Sequence, residues 1–505
     1  LCPVRFLLKH IMKSIQSITK LVLSSGLLCI AILGAGCNST LSYVETTQPL
    51  ADAWGNGDYV EATNISGELL DKQRDKVENN IVFFLEHASV LRAVGAYEES
   101  NWHFQTALDL MDERRGDLEG QSRTGEKLAA GSRELVALLS NLNAIPYRGF
   151  GYDRIMVHTY KTLNFLALGD KEQARVELNR LYTTQQYLVS EEYDKQIGKD
   201  QEKVRETQNE KKQQIAAAGA DTGLVTSALT DMRQDYSVNA AYAPYVNPFA
   251  TYLKAIFDAT NGDTENAKLL MNRVKDFSDN SFVKADLQLL ESGRTIENMT
   301  YVIFESNMAP FRIEKLFETV IIVPVEYEEV DENGNKTGRI IRNNIPVKIA
   351  FSWPKLKDTE QPKVHQYVVV GGAQMQTQVI ADMDSVVAKE FEIRWPGIRN
   401  RVALSVLAKT AGAIYATKAG GMLGGILASV HQEITKGTDS RTWRTLPSNF
   451  QVCRIATPAD RKLKLGRSDN PAIIEIPLID GNVNVVYVKQ SAPDTVPSVN
   501  QFKLK

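Results

Sequence analysis

The spacing of hydrophobic residues divides the chain into a helical half and a strand-rich half. From about residue 50 to 295, apolar residues recur at three- and four-residue intervals with few Gly or Pro, which is typical of amphipathic helices. From about residue 298, short β-branched and aromatic runs are separated by turn residues, which is typical of strands. The pattern predicts an α+β protein, in which a helical region at 51–296 precedes a mostly antiparallel, sandwich-like β region at 297–505.

A glycine turn recurs in the helical half, at Gly57, Gly95, Gly169 and Gly262. The fifth residue after each glycine is small, namely Ala62, Ser100, Ala174 and Ala267. A tight turn followed by a small residue at a helix crossing is typical of tetratricopeptide-like helix pairs. The pattern therefore predicts a tetratricopeptide-like α-solenoid. The turns are unequally spaced, so the array would be interrupted, and a bundle of αα-hairpins is the alternative.

Two segments depart from this pattern. Residues 191–214 are dense in charged and amide side chains, which favours a solvated helical arm over a partner-binding coiled coil. Between about 382 and 435, a Gly/Ala-rich helical insertion interrupts the strands, with a small residue at every fourth position from Ala408 to Ala428. That stripe indicates a helix packed closely against the β region. The alternative is a hydrophobic hairpin inserted into a membrane.

Residues 1–36 have the pattern of a lipoprotein signal peptide, with Met12 as the expected start. Basic residues precede an apolar run from Leu21 to Leu33, which is too short to span a bilayer as a helix. Small residues then lead to Cys37, whose thiol would carry the lipid, and residues 37–50 would form the tether. The alternative is an ordinary signal peptide followed by a chance cysteine.

Composition and charge agree with an exported, folded protein. After the leader, the only cysteine besides Cys37 is Cys453, so the mature chain is expected to have no internal disulfide. The formal charge of −3 does not suggest a nucleic acid partner. Asn38, directly after the acylated cysteine, indicates an outer-membrane address with the protein facing the periplasm.

Four stretches resemble an uncharacterised family of Gram-negative lipoproteins. They are YRGFGYDRIMVHTYKTLNFLALGD at 147–170, NPFATYL at 247–253, MAPFR at 308–312 and TDSRTWRTLP at 438–447. Members of that family pair a tetratricopeptide-like N-terminal half with a C-terminal β region. The resemblance covers both halves of the chain and implies an architecture, but it implies no reaction.

The chain lacks the sequence motifs of common enzymes. Its six histidines show neither the HExxH spacing nor a zinc pattern with cysteine. A nucleophile elbow, a Walker loop and a dinucleotide fingerprint are also missing. Cys453 lies in an apolar strand and is expected to be a core thiol. The sequence therefore predicts no catalytic residue, no cofactor and no metal.

One candidate site for binding a partner lies in the segment from Tyr152 to His158. Arg154 and His158 fall four residues apart on one helix face, where they would line the concave groove in which such arrays bind peptides. The alternative is that these side chains, with Tyr152, form ion pairs and pack in the core.

A second candidate site is formed by Asp439, Arg441 and Trp443, which alternate on one side of an extended run. An arginine two residues before a tryptophan suits cation–π stacking and would receive a partner. The alternative is a buried tryptophan corner held by an Asp–Arg pair.

These observations predict an outer-membrane lipoprotein that acts as a non-enzymatic adaptor or assembly factor. It would bind envelope proteins or peptides through the groove of its helical array and attach to the membrane through its acyl anchor. One alternative is an activator of cell-wall synthesis or a cell-wall-active enzyme. Another is a membrane-inserting transport component.

Overall fold

The computed structural model describes residues 42–76, 80–120, 146–188, 247–330, 336–359, 366–407, 438–467 and 474–505, with residues 202, 205, 206, 209, 213, 361 and 364. Cys37, most of the charged segment 191–214 and the stripe from Ala408 to Ala428 lie outside these residues. Contacts divide the chain into residues 1–46 and residues 47–505. The contacts discussed below lie within residues 47–505, which form one compact unit.

The first half of the described chain is helical, as the sequence predicts. Its helices are α1 (Tyr43–Gly55), α2 (Tyr59–Gln73), α3 (Asn80–Ala93), α4 (Tyr97–Gly120), α5 (Gly151–Ala167), α6 (Lys171–Tyr187), α7 (Pro248–Thr260), α8 (Thr264–Phe277) and α9 (Ser281–Glu291). Helices that are neighbours in sequence pack on each other, most extensively α3 on α4, α5 on α6 and α7 on α8.

The four glycine turns connect these helix pairs. The φ angles at these turns are positive, which residues other than glycine rarely adopt. They are 74° at Gly57, 85° at Gly95, 79° at Gly169 and 96° at Gly262. The next helix is capped in three cases by an aspartate side chain that accepts a backbone N–H, namely Asp58, Asp170 and Asp263. The small residue at the fifth position is fully buried in all four pairs. These turns therefore bring paired helices close together, as predicted.

The second half is built mainly from strands. They are β1 (Met299–Ser306), β2 (Phe311–Val330), β3 (Lys336–Lys357), β4 (Gln366–Val370), β5 (Ala373–Gln376), β6 (Gln378–Asp382), β7 (Asn449–Ala456), β8 (Lys462–Arg467), β9 (Ile474–Pro477), β10 (Val483–Gln490) and β11 (Ser498–Lys503). Helix α10, residues 383–407, follows β6 where the helical insertion is predicted.

The strands form three sheets. One has the order β11-β10-β1-β7-β6, a second has the order β5-β4-β8-β9, and β2 pairs with β3 as a two-stranded ribbon. Only β1 and β10 are paired in parallel among these described strands. The prediction of an α+β protein with mostly antiparallel strands is confirmed.

The five-stranded sheet lies between the four-stranded sheet and the helices. Val302, Phe304 and Val488 on one of its faces pack against Leu463 and Leu465 of the four-stranded sheet. Its other face meets the helices, since Glu305 of β1 pairs with Arg92 of α3. Contacts therefore cross the predicted boundary at residue 296. None of the helices in the described part of the chain has the length and apolar character needed to cross a membrane.

Candidate functional site

The first helix of each main pair is buried on all sides. Every residue of α3 is buried, and α5 and α7 are buried almost throughout. One side of these helices is covered by their pair partners, α4, α6 and α8. The other side meets the five-stranded sheet and the segment 438–448. The face that would form a peptide groove is therefore occupied by the protein's own β region.

A buried charge cluster joins α3 and α5 to the sheet. Glu305 of β1 accepts hydrogen bonds from the Tyr160 hydroxyl at 2.9 Å and from Arg92 Nη1 at 3.3 Å. Tyr487 and Lys489 of β10 also donate to this carboxylate. The Arg92 guanidinium lies between the rings of Tyr160 and Tyr487, 4.7 and 4.5 Å from their centroids. The cluster therefore ties four elements together through one carboxylate.

Electrostatics keeps this carboxylate charged. Burial alone would raise the pKa of Glu305, but the charges of Lys489 and Arg92 and the hydrogen bonds hold it below its usual value. Burial in turn lowers the pKa of Lys489. A buried ion cluster of this kind fixes the geometry of the helix–sheet contact, because each charge depends on its partners.

The segment 438–448 makes a second connection to the inner helices. The Glu86 carboxylate of α3 accepts the backbone N–H of Arg444 at 2.6 Å and that of Thr445 at 3.1 Å. Trp443 Nε1 donates to the Ser89 hydroxyl of α3 at 2.9 Å. An extended stretch of the β region therefore binds along α3 through backbone and side-chain hydrogen bonds, as a bound peptide would.

The candidate residues Asp439, Arg441 and Trp443 belong to this internal contact. Arg441 Nε donates to Asp439 Oδ1 at 2.7 Å, and its guanidinium lies 5.6 Å from the centroid of the Tyr147 ring. Trp443 and Arg441 are each 1% exposed. The structure has the buried tryptophan corner with its Asp–Arg pair, and not an open surface that would receive a partner.

The candidate residues on α5 are also occupied internally. Tyr152, Arg154 and His158 are at most 8% exposed. His158 Nδ1 lies 2.7 Å from a Glu177 carboxylate oxygen of α6, and Arg154 pairs with Asp112 of α4. The prediction that these side chains line an open groove is corrected by this packing. Sequence spacing placed them on one helix, but it did not show what covers that helix.

Two groups with strongly perturbed pKa values are inaccessible. Burial raises the pKa of Asp153 to about 7, although its carboxylate accepts a hydrogen bond from the Tyr147 hydroxyl at 2.6 Å. Burial also raises the pKa of the Cys453 thiol to about 12. A perturbed pKa marks a candidate for catalysis only where substrate can reach the group. Both side chains are fully buried, so neither provides an accessible acid, base or nucleophile.

Two of the surface depressions among the described residues have clearly different linings. One, of about 320 Å³, opens between the two larger sheets and is lined by Phe304, Leu465 and Val488. The other, of about 410 Å³, lies near the starts of α4 and α6 and is lined by Glu98 and Asp170 among others. The lining of the first is mainly apolar, whereas that of the second is about equally polar and apolar. Neither contains the residues singled out from the sequence.

One group of described side chains has the composition and spacing of a metal site. It consists of His87 of α3 with Glu99 and His103 of α4, whose ligand atoms all lie within 4.8 Å of one another. The sequence did not indicate this group, because His87 comes from a different helix. A Glu and a His four residues apart on one helix, following an αα-turn, are the only sequence signal for it.

The ribbon of β2 and β3 differs from every other part of the described β region. Its pairing runs from Phe311 opposite Lys357 at the base to Val330 opposite Lys336 at the tip. Within the described residues, these two strands pair with each other and with no third strand. Phe351 and Trp353 at the base are buried, whereas Val320 and Ile340 further out are 59% and 65% exposed.

Comparisons of this chain with protein families, with curated proteins and with solved structures found no match.

Proposed function

We propose that this protein is a non-enzymatic assembly factor of the Gram-negative outer membrane, anchored through a lipid on Cys37 and facing the periplasm. In this proposal it assembles by pairing its ribbon, residues 311–357, edge to edge with the ribbon of a second copy. The observation that carries the proposal is the long two-stranded ribbon. The peptide-binding groove that the sequence predicts on the helical array has no part in this proposal, because the β region covers that face.

A ribbon of this length needs a partner for physical reasons. At about 3.4 Å per residue, strands of this length extend roughly 65 Å. A two-stranded hairpin is only marginally stable in water, and its outer edges present backbone N–H and C=O groups that favour a further strand. The exposed Val320 and Ile340 add apolar surface that pairing would cover. Addition of strands on both edges would satisfy these groups.

The charges of the ribbon indicate that the partner is a second copy. Strand β2 carries mainly acidic charges, Glu314, Glu318, Glu326, Glu328 and Glu329, with two basic residues. Strand β3 carries only basic charges, Lys336, Arg339, Arg342, Lys348, Lys355 and Lys357. Within one ribbon these signs already attract, since Arg342 Nε lies 2.7 Å from Glu326 Oε1.

The same attraction would act between copies. If β3 of one copy pairs with β2 of the next, every strand lies between strands of opposite charge. This favours β3–β2 pairing over pairing of two β2 strands or two β3 strands. Such a contact is head-to-tail, because the two edges involved are different. Repetition of a head-to-tail contact closes into a ring or continues as a filament.

The proposal includes a role for the helices. The left-handed glycine turns and fully buried small residues support a tetratricopeptide-like array. In this array the inner face holds the protein's own segment 438–448 and sheet, where related architectures hold a peptide from another protein. The array would therefore serve as a rigid base from which the ribbon extends.

The test is the oligomeric state of the full chain with Cys37→Ser, which removes the acylation site. We expect sedimentation velocity to show concentration-dependent oligomers, and Arg339→Glu with Arg342→Glu to return the protein to a monomer. The matched control is Lys72→Glu with Arg74→Glu. Both side chains are exposed, and they pair with Glu68 and Asp71 of α2. A wild type that stays monomeric, or a ribbon variant that oligomerises like the control, contradicts the proposal.

The anchor is tested separately. Radiolabelled palmitate should enter the wild-type protein and fail to enter Cys37→Ser, whereas Cys453→Ser should label normally because Cys453 is buried. Equal labelling of the wild type and Cys37→Ser contradicts acylation at this residue.

A further inference from the structure

We propose that His87, Glu99 and His103 form a binding site for a divalent transition metal ion, with Zn²⁺ the best match to the ligand set. The site lies at the αα-hairpin of α3 and α4 and is independent of the proposed assembly function. Two imidazoles and one carboxylate are a common protein ligand set for zinc, which takes a fourth ligand from water.

The geometry requires only a small closure around the ion. The ligand atoms lie within 4.8 Å of one another, and tetrahedral zinc with bonds of about 2.0–2.1 Å needs them roughly 3.4 Å apart. His87 and His103 are fixed in the core, with ring centroids 4.8 Å apart. Glu99 is exposed on the last turn before His103, so its flexible side chain is free to move towards the two imidazoles.

The hydrogen bonds of His87 leave its other nitrogen ready to bind a metal. The Ser66 hydroxyl of α2 donates to the Thr63 carbonyl at 3.1 Å and lies 2.9 Å from His87 Nδ1. A hydroxyl has one proton, and when Ser66 donates it to the Thr63 carbonyl, Ser66 Oγ accepts the Nδ1–H of His87. In that arrangement Nε2 of His87 carries a lone pair. A second residue that orients the imidazole in this way is typical of metal sites.

His103 provides an independent indication. Its side chain is 6% exposed, and its Nδ1 is buried without a hydrogen-bond partner. Leaving a buried polar atom unpaired is unfavourable, and a bound metal or its water would satisfy it.

Trp102 gives this site its own optical signal. Its indole ring packs edge-on against the His103 ring, with centroids 4.7 Å apart. A paramagnetic ion such as Co²⁺ bound at His103 would therefore quench the fluorescence of this tryptophan. The side chain is 60% exposed, so replacing it disturbs little of the core.

The experiment titrates the untagged full chain carrying Cys37→Ser with Zn²⁺ by calorimetry and with Co²⁺ by fluorescence. We expect one ion to bind per chain, Glu99→Gln to weaken binding at least about tenfold, and Ser66→Ala to weaken it by about 10–100-fold. Glu98→Gln is the matched control, since Glu98 is the neighbouring exposed acid on the same helix and should leave affinity unchanged. Trp102→Phe should keep Zn²⁺ binding but show less Co²⁺ quenching than the wild type.

Several results would overturn the site. They are a wild type that binds no Zn²⁺, a Glu99→Gln variant that binds like Glu98→Gln, and a Trp102→Phe variant that is still quenched fully by Co²⁺. Because Glu99 and Trp102 are exposed, these variants should fold, and near-ultraviolet circular dichroism checks that they do. The test therefore does not depend on substitution of the buried histidines.

Discussion

The helix–sheet contact and the ribbon use the same kinds of charged side chains in opposite ways. In the contact, Glu305 is buried with Arg92 and Lys489, and each ion has fixed internal partners. In the ribbon, Glu326 and Arg342 pair across two strands but stay exposed to water, 57% and 82% at their side chains. The buried charges therefore stabilise contacts within the chain. The exposed charges of the ribbon lie at an open strand edge, where they can also attract a further strand of opposite charge.

The largest expected effect is on the buried cluster. Glu305→Ala leaves two cations without their carboxylate in the interior, so we expect a loss of about 3–5 kcal/mol in the free energy of unfolding. Urea denaturation followed by circular dichroism measures this loss. A loss no larger than that of an exposed ribbon residue would show that the cluster does not hold the two halves together.

A second expected effect is acid sensitivity at another internal pair. Burial would raise the pKa of Glu177, but hydrogen bonds from His158 and Lys161 and their charges lower it to about 2. Because the carboxyl has a lower pKa in the folded chain, its ionised form stabilises the fold at pH values above its unfolded pKa of about 4.5. This stabilisation is lost as the pH falls towards 2. At neutral pH it amounts to a free energy on the order of 3 kcal/mol.

Replacement of this carboxylate isolates its share of the acid response. Glu177→Gln should lower stability at pH 7 and flatten the decline between about pH 4.5 and 2, while Glu326→Gln on the ribbon should leave the decline unchanged. Urea midpoints measured across that range give the two curves. Parallel curves for the wild type and Glu177→Gln would show that this pair does not contribute.

A third effect tests the close helix crossings of the rigid base. Ala174 of α6 is fully buried, so Ala174→Leu should overpack the crossing and lower the free energy of unfolding by about 1–3 kcal/mol. Val176→Leu on the same helix is the control, because Val176 is 39% exposed and should tolerate the change. Equal thermal midpoints for the two variants would argue against a tight crossing at Ala174.

The smallest effect is expected at the ribbon itself. Glu326→Gln removes one exposed ion pair, which should change the stability of the monomer by no more than about 1 kcal/mol. Urea denaturation at low protein concentration checks this value. A loss as large as that of Glu305→Ala would mean that the ribbon charges are also part of the internal structure.

Local patterns in the sequence predicted much of the fold. Gly95 and Gly169 indicated helix turns because such a tight turn needs a residue with a positive φ angle. Ala174 indicated a close helix crossing because only a small side chain fits between the two helices. These signals depend on residues close together in the chain. The β-branched and aromatic runs after 298 likewise indicated the strands, because the preference of these residues for strands is a local property.

The candidate sites depended on contacts between distant residues, and there the sequence was less informative. Trp443 is buried because it meets Ser89, more than 350 positions away, and no local pattern indicates that contact. His87 and His103 meet because a turn folds α4 onto α3. The ribbon lies within the region that the sequence predicts to be strands, but its isolation from the other sheets became visible only in three dimensions.

The most direct test of ribbon-mediated assembly mixes two forms of the protein that differ only in the sign of four charges near the tip of the ribbon. The exchanged form carries Glu326→Arg, Glu329→Arg, Arg339→Glu and Arg342→Glu, which keeps each cross-strand pair within the ribbon. Each form, labelled with donor and acceptor dyes, should show energy transfer with itself. Wild type mixed with the exchanged form should show much less, because the exchanged positions would bring like charges together at each mixed junction. Equal transfer in mixed and unmixed samples, or none in any sample, would contradict the account.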